Sequence, residues 1–180
     1  MKALKITGAF LGIVILIFVV VGLILPTTWH VERSVVINAP PEAIHPYVSS
    51  FRKWDQWAAW NNEMDPSRKV DYDGPEEGVG AAMRWRGDKM GRGRIVITKS
   101  DPKLGVWLDE AIESDQVNAH GSLTYQAAEG GGTRVTWVDD GDVGMKPIGG
   151  YFVGMLEGAL GEHFQTGLDK LKRLVEGMSQ

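Results

Sequence analysis

An uncharged apolar run from Ile6 to Leu25, preceded by Lys2 and Lys5 and followed by a polar, strand-forming segment, constrains this chain more than any other feature. Twenty residues at helical rise cover about 30 Å, the hydrocarbon thickness of a bilayer. The expectation is an uncleaved transmembrane helix. A cleaved signal peptide also begins with positive charge, but its apolar region is usually about 7–15 residues and ends in small residues. Here the run is longer and leaves through Leu23-Ile24-Leu25-Pro26-Thr27-Thr28. Two lysines precede the span, whereas only Arg33, beside Glu32, follows closely. That asymmetry predicts a cytoplasmic N-terminus and an extracytoplasmic domain, periplasmic or at the cell surface. The chain is therefore read as an anchor, residues 1–26, and one domain, residues 27–180.

A domain of this size can bury one hydrophobic core. Both lysines of the anchor lie outside it, which leaves 17 Lys+Arg against 23 Asp+Glu, net −6. Such a charge is a poor match for a nucleic-acid backbone and for a broad electrostatic grip on anionic lipid. The absence of cysteine excludes disulfides, thiolate metal sites and cysteine nucleophiles.

Trp29–Ile37 alternates and is rich in β-branched residues, as a strand should be. Pro41 and Glu42 then suit a helix start, with Ile44, Tyr47, Val48 and Phe51 on its apolar face and Pro46 shortening it. Strand-like runs follow at Val79–Trp85, Arg94–Thr98, Gly105–Ile112, Gly121–Gln126 and Thr133–Val138, separated by Gly, Asp and Pro clusters. This spacing predicts an antiparallel meander. After Pro147 the period changes: Phe152, Leu156, Leu160, Phe164, Leu168, Leu171 and Val175 recur every three or four residues. A curved antiparallel sheet closed by a long C-terminal helix, an α+β arrangement, satisfies both patterns.

Several stretches resemble the START-like (SRPBCC) helix-grip superfamily, in its polyketide cyclase/dehydrase and lipid-transport branch. They are Val35-Val36-Ile37-Asn38-Ala39-Pro40-Pro41-Glu42-Ala43-Ile44, Trp54-Asp55-Gln56-Trp57, Gly132-Thr133-Arg134-Val135-Thr136-Trp137, and Phe164-Gln165-Thr166-Gly167-Leu168-Asp169-Lys170-Leu171-Lys172. The resemblance covers about residues 29–177. It implies a helix-grip fold with an internal cavity for a small hydrophobic or lipid-like ligand, and it leaves the chemistry open.

Trp54, Trp57 and Trp60 recur at i, i+3, i+6 and form either an aromatic cavity wall or core packing. Met83 and Trp85 are expected to face inward, with Arg84 and Arg86 outward. Trp137, Phe152, Leu156, Leu160 and Phe164 complete the candidate cavity set, although for Trp85 and Trp137 core packing is the favoured reading. For Trp107 alternation against Leu104, Val106, Leu108 and Ile112 leaves the side open. The histidines, His30, His45, His120 and His163, show no metal-ligand spacing. His163, beside Phe164, is a weak acid–base candidate. Asp139-Asp140-Gly141-Asp142 lacks the spacing of a calcium loop and reads as a loop exit. Glu110 and Glu113 are expected to be solvated; a carboxyl buried in an apolar cavity would instead suit proton transfer. Gly150, Gly154 and Gly158, spaced by four, either open cavity space or permit close packing.

These readings predict an anchored domain that carries, senses or shields a hydrophobic ligand, with no cofactor or metal implied and no nucleic-acid partner. A cyclase/dehydratase-type enzyme is the alternative, which a buried His or Glu facing the cavity would favour. A protein-interaction module whose cavity is filled by its own side chains is a third, which the absence of a void would favour.

Overall fold

The computed structural model describes residues 2–114, 116 and 118–177, with the side chains of residues 1–6 outside that set. Lys2 and Lys5, whose charges carry the expected orientation, therefore have side chains outside the described residues. Helix α1, Lys2–Ile24, is uncharged from Ile6 onward, and its window Thr7–Ile24 has a mean hydropathy of 2.9 with 6% of it buried. It is long and apolar enough to cross a membrane, a property that a signal sequence shares.

Among the described residues seven strands follow: β1 Thr28–Ile37, β2 Lys69–Asp73, β3 Ala82–Gly87, β4 Gly91–Asp101, β5 Gly105–Ile112, β6 Ala119–Ala127 and β7 Thr133–Asp142. They form one antiparallel sheet in the order β1-β7-β6-β5-β4-β3-β2. A register shift between Ile97 and Lys99 bends β4 against β5, which adds curvature. Between β1 and β2 lie α2, Pro41–Val48, and α3, Phe51–Trp54. Pro46 is accommodated within α2, and the helix stops at Val48, so Phe51 opens the next helix rather than extending the same face.

Helix α4, Val153–Val175, crosses the concave face, preceded by a 3-10 turn at Gly149–Tyr151. Its buried stripe includes Val153, Phe164, Leu168 and Leu171. Full burial of a leucine side chain contributes about 1.5–3 kcal/mol. At its C-terminal end Lys172 Nζ donates to the Val36 carbonyl at 2.6 Å, and the Asn38 amide donates to Glu176 Oε1 at 2.7 Å. These bonds tie the end of α4 to the end of β1.

The core fills one half of the grip. Ile37, Ile44, Val48, Ile97, Val106, Leu108, Leu123, Val135, Leu168 and Leu171 pack there without solvent access. Glycines Gly154 and Gly158 would meet nothing within 4 Å on gaining a Cβ and lie exposed, so they neither open the cavity nor pack tightly. Gly150 does pack closely, with the Leu25 side chain and Pro26 carbonyl under 3.0 Å from a Cβ built on it.

Boundaries differ from the sequence expectation in identifiable ways. Val79 is exposed in a turn set by positive-φ Gly78 and Gly80, so β3 begins only at Ala82. Strand β2, whose sequence is Lys-Val-Asp-Tyr-Asp, carries three charges because it is an edge strand. Trp107 faces outward, with Lys99 Nζ 4.2 Å from its ring centre.

Candidate functional site

Residues at the other end of the grip enclose a cavity of about 360 Å³. That volume lies within the roughly 300–1,000 Å³ of small-molecule sites. Its walls come from β1 (Trp29), α3 and the following loop (Trp54, Asp55, Ala58, Trp60), β3 (Met83, Trp85), the β3–β4 turn (Met90) and β4 (Ile95). Glu110, Ile112, Glu113, Asn118 and Asp139 close the sheet side, and Val143, Met145, Leu156, Leu160 and Phe164 close the helix side.

Seven of the ten residues singled out from the sequence line this cavity: Trp54, Trp60, Met83, Trp85, Leu156, Leu160 and Phe164. Three do not. Trp57 is 0% exposed and sits behind Trp54, with its indole N–H donated to the Tyr47 carbonyl at 3.1 Å. It is outside the lining because α3 ends at Trp54 and the chain turns, which breaks the helical spacing of the three tryptophans. Trp137 is stacked flat on Phe164 at 4.2 Å and is screened from the void by it. Phe152 points outward, 51% exposed, because it precedes the first turn of α4. His163 lies 5.4 Å from the Trp60 ring, on its flank and outside the lining.

The polar feature of the cavity is a carboxyl pair. Glu110 on β5 and Asp139 on β7 reach toward each other across β6, where Gly121 stands between them. A Cβ on Gly121 would lie 3.0 Å from Glu110 Oε1 and 3.3 Å from Asp139 Oδ2. The missing side chain is thus what lets the two acids meet. They share a hydrogen bond, and Asp139 Oδ1 also accepts the Trp29 indole N–H at 2.7 Å. Burial pushes the Glu110 carboxyl well above the ordinary range, and the neighbouring Asp139 charge pushes it further. Burial also raises Asp139, 4% exposed, to about 6, against the stabilising bonds from Trp29 and Glu110. Near neutral pH the pair therefore holds one proton and one negative charge in a cavity whose walls are mostly apolar. It can accept a hydrogen bond from a ligand or exchange a proton with one.

Glu110 and Asp139 correct the expectation that both segments are solvated. Alternation does carry the signal: Leu108-Glu110-Ile112 and Val135-Trp137-Asp139 each keep to one face of their strand. The rest of the acidic run also belongs to β7 and not to a loop: Asp140 faces outward and bonds His30 at 2.6 Å across the β1–β7 pair, and only Asp142, at the strand end, accepts from the Gly144 amide as a loop exit would. Gly141 lies under the Trp29 ring, as Gly93 lies under Trp85, so two cross-strand glycines seat two of the four cavity tryptophans.

Other supports are local. Asp65 Oδ1 accepts from the Ser67 hydroxyl and amide, and Oδ2 from the amides of Lys89 and Met90, which pins the 61–68 loop to the β3–β4 turn. The Ser67 hydroxyl is the chief reason that the Asp65 carboxyl falls to about 2. Arg68 donates to Asp55 at 2.6 Å and to the Trp60 carbonyl, fixing that wall of the cavity. Buried His45, between Ser100 and Tyr125, is held neutral by burial. Among the described residues no group of His, Asp and Glu is arranged to hold a metal ion. Two rim residues, Glu113 at φ 52° and Met145 at φ 50°, adopt left-handed backbone that non-glycine residues rarely take, a form of strain that concentrates at functional sites.

Comparison with solved structures gives the same fold at low identity. The Aha1 dimer from Colwellia psychrerythraea is 17% identical with a TM-score of 0.59, covering 84% of this chain and 98% of that one. Protein SA2116 from Staphylococcus aureus is 12% identical with a TM-score of 0.62, covering 83% and 94%. A protein from Thermobifida fusca is 16% identical with a TM-score of 0.61, covering 84% and 95%. Comparison with curated protein sequences gives no match. A family model described as polyketide cyclase / dehydrase and lipid transport matches residues 28–176, which spans the whole sheet and α4. This chain belongs to that family.

Proposed function

We propose that this protein is a membrane-anchored, extracytoplasmic binding domain whose cavity takes a small, mostly apolar molecule carrying one hydrogen-bond-donating group. Residues 1–26 act as the anchor and residues 27–180 as the binding domain. The observation that carries this reading is an apolar void of about 360 Å³ whose innermost polar group is the Glu110–Asp139 pair. Tryptophan, leucine and phenylalanine walls supply most of the affinity through apolar burial. A hydroxyl or amine would meet the acid pair favourably, whereas a carboxylate or phosphate would meet a like charge in low dielectric. The void argues against an interaction module with a filled interior.

The acid pair also favours a second reading, cyclase- or dehydratase-type catalysis. A protonated Glu110 beside an ionisable Asp139 supplies an acid and a base within one site, with proton affinities spread apart by their surroundings. Both readings require binding, so binding is tested first. The full chain, isolated from its own membranes, is examined by native mass spectrometry with organic extraction. A stoichiometric apolar molecule bearing a hydroxyl or amine is expected. A clean apo mass, with no thermal shift across a panel of fatty alcohols, amines and lipids, would refute the binding reading. Conversion of the extracted molecule by wild-type protein but not by Glu110→Gln would select the enzyme.

A further inference from the structure

We propose that the mouth of the cavity is seated in the interfacial layer of the bilayer, so that its occupant enters from the lipid and not from water. This rests on the reading of α1 as a membrane anchor and adds where the domain sits against the membrane.

Strand registers place the relevant parts at one end of the sheet. The start of β1 pairs with the end of β7, Thr28 with Asp142, and the start of β6 lies beside them, Ala119 with Gly141. The β3–β4 and β5–β6 turns fall at the same end, since Gly87 pairs with Gly91 and Gly93 with Ile112. This is also the end at which α1 joins the domain. The acid pair, Ile112, Asn118 and Val143 put the cavity there too.

The segment after β7 then runs back along α1. The Tyr151 ring stacks on Phe18 at 4.6 Å and 2°, and its hydroxyl donates to the Phe18 carbonyl at 2.7 Å. Lys146 Nζ donates to the Leu23 carbonyl at 3.1 Å, placing a cation at the C-terminal end of the helix dipole. Close packing at Gly22 against the Pro147 backbone, and at Gly150 against Leu25, fixes this arrangement. Phe18 precedes Ile24 by six residues, about 9 Å along the helix. If α1 spans the bilayer, Tyr151 reaches that far below its exit point.

The same segment exposes Met145 at 71%, Ile148 at 50% and Met155 at 71%. Like the outward side chains of α1, these are apolar and uncovered, and Met145 also lines the cavity. Lipid is the occupant that covers both surfaces at once. A depth of roughly 5–10 Å is that of amphipathic elements lying in the interface, where tyrosine is enriched. Asp55 and Glu113 are also on the rim, so the attraction comes from the apolar side chains and anionic lipid does not strengthen it.

The chain has no cysteine, which permits single labelling sites in the full-length protein. Ile148→Cys and Met155→Cys carry an environment-sensitive fluorophore in phosphatidylcholine vesicles containing a lipid with a nitroxide near its headgroup. Leu16→Cys within α1, read in vesicles whose nitroxide sits in mid-chain at the depth of that residue, and Glu129→Cys in the turn at the far end of the sheet are the references. Quenching at 148 and 155 several-fold stronger than at 129, and unchanged by salt or by added anionic lipid, is the expected result. Quenching at 16 with 148 and 155 equal to 129 would overturn the proposal while leaving the anchor standing. Blue-shifted but unquenched labels at 148 and 155 would also overturn it, in favour of a protein covering the patch. Absence of quenching at 16 would remove the anchor and the proposal together.

Discussion

Replacing Asp139 by asparagine tests the acid pair through stability, without knowledge of the ligand. The Asp139 carboxyl rises from 3.8 to about 6 on folding, so the native state binds more protons than the unfolded chain between those pH values. Stability contributed by the protonated form is present below pH 3.8 and lost as pH rises through 6. At about 1.4 kcal/mol per unit, the loss is about 3 kcal/mol. The amide of Asp139→Asn keeps an acceptor for the Trp29 N–H and offers Glu110 a donor, so it removes the titration while preserving shape. His45, held neutral by burial, acts with the opposite sign, since its stabilisation is lost as pH falls below 6.5. His30, raised by its bond to exposed Asp140, loses a small contribution above 6.5. The difference between variant and wild type therefore cancels the histidines and reports Asp139 together with the part of the Glu110 shift that the Asp139 charge causes. Melting of both full-length proteins in detergent micelles between pH 4 and 8 is the assay. At 2–4 °C per kcal/mol, the variant should gain roughly 6–12 °C on wild type across that range. Parallel melting curves would refute the burial of an ionisable Asp139.

Gly141→Ala should displace the Trp29 indole, since its Cβ would lie 2.0 Å from the ring, and lose the bond to Asp139. A cost of about 1–3 kcal/mol and an altered near-ultraviolet circular dichroism spectrum are expected. Gly154→Ala and Gly158→Ala meet open space within α4 and should each stabilise by about 1 kcal/mol, read as a higher Tm. Asp65→Asn should melt below wild type at neutral pH. Because the folded carboxyl is held down near 2, that deficit should vanish in acid melts as pH falls from 3.8 through 2. Leu156→Trp puts an indole into the void and should abolish co-purification of the bound molecule while leaving far-ultraviolet circular dichroism unchanged.

Periodicity made most of the fold legible. The step from alternation to a three-to-four repeat after Pro147 marks the passage from sheet to α4, and both patterns reflect a single buried face. Strand ends were less legible because pairing, not local preference, extends them. Strand β7 runs to Asp142 through two aspartates and a glycine since β1 and β6 bond it on both sides. Strand β2 gave no apolar signal because only one neighbour and half a face bury it.

The aromatic wall was partly legible for the same reason that Trp57 misled. A spacing of three residues implies one face only where the backbone stays helical, and here it leaves the helix after Trp54. The acid pair was hidden for a different reason. A local reading assigns charged runs to solvent because an isolated buried carboxylate is too costly, which is correct for either acid alone. What reverses the balance comes from elsewhere in the chain: a second acid on β5 to share the proton, an indole from β1, and a side-chain-free position on β6. None of these neighbours lies within ten residues of Asp139. An aspartate that continues an inward alternation beyond a tryptophan is therefore better read by its strand face than by its charge, with the compensating groups sought on the flanking strands.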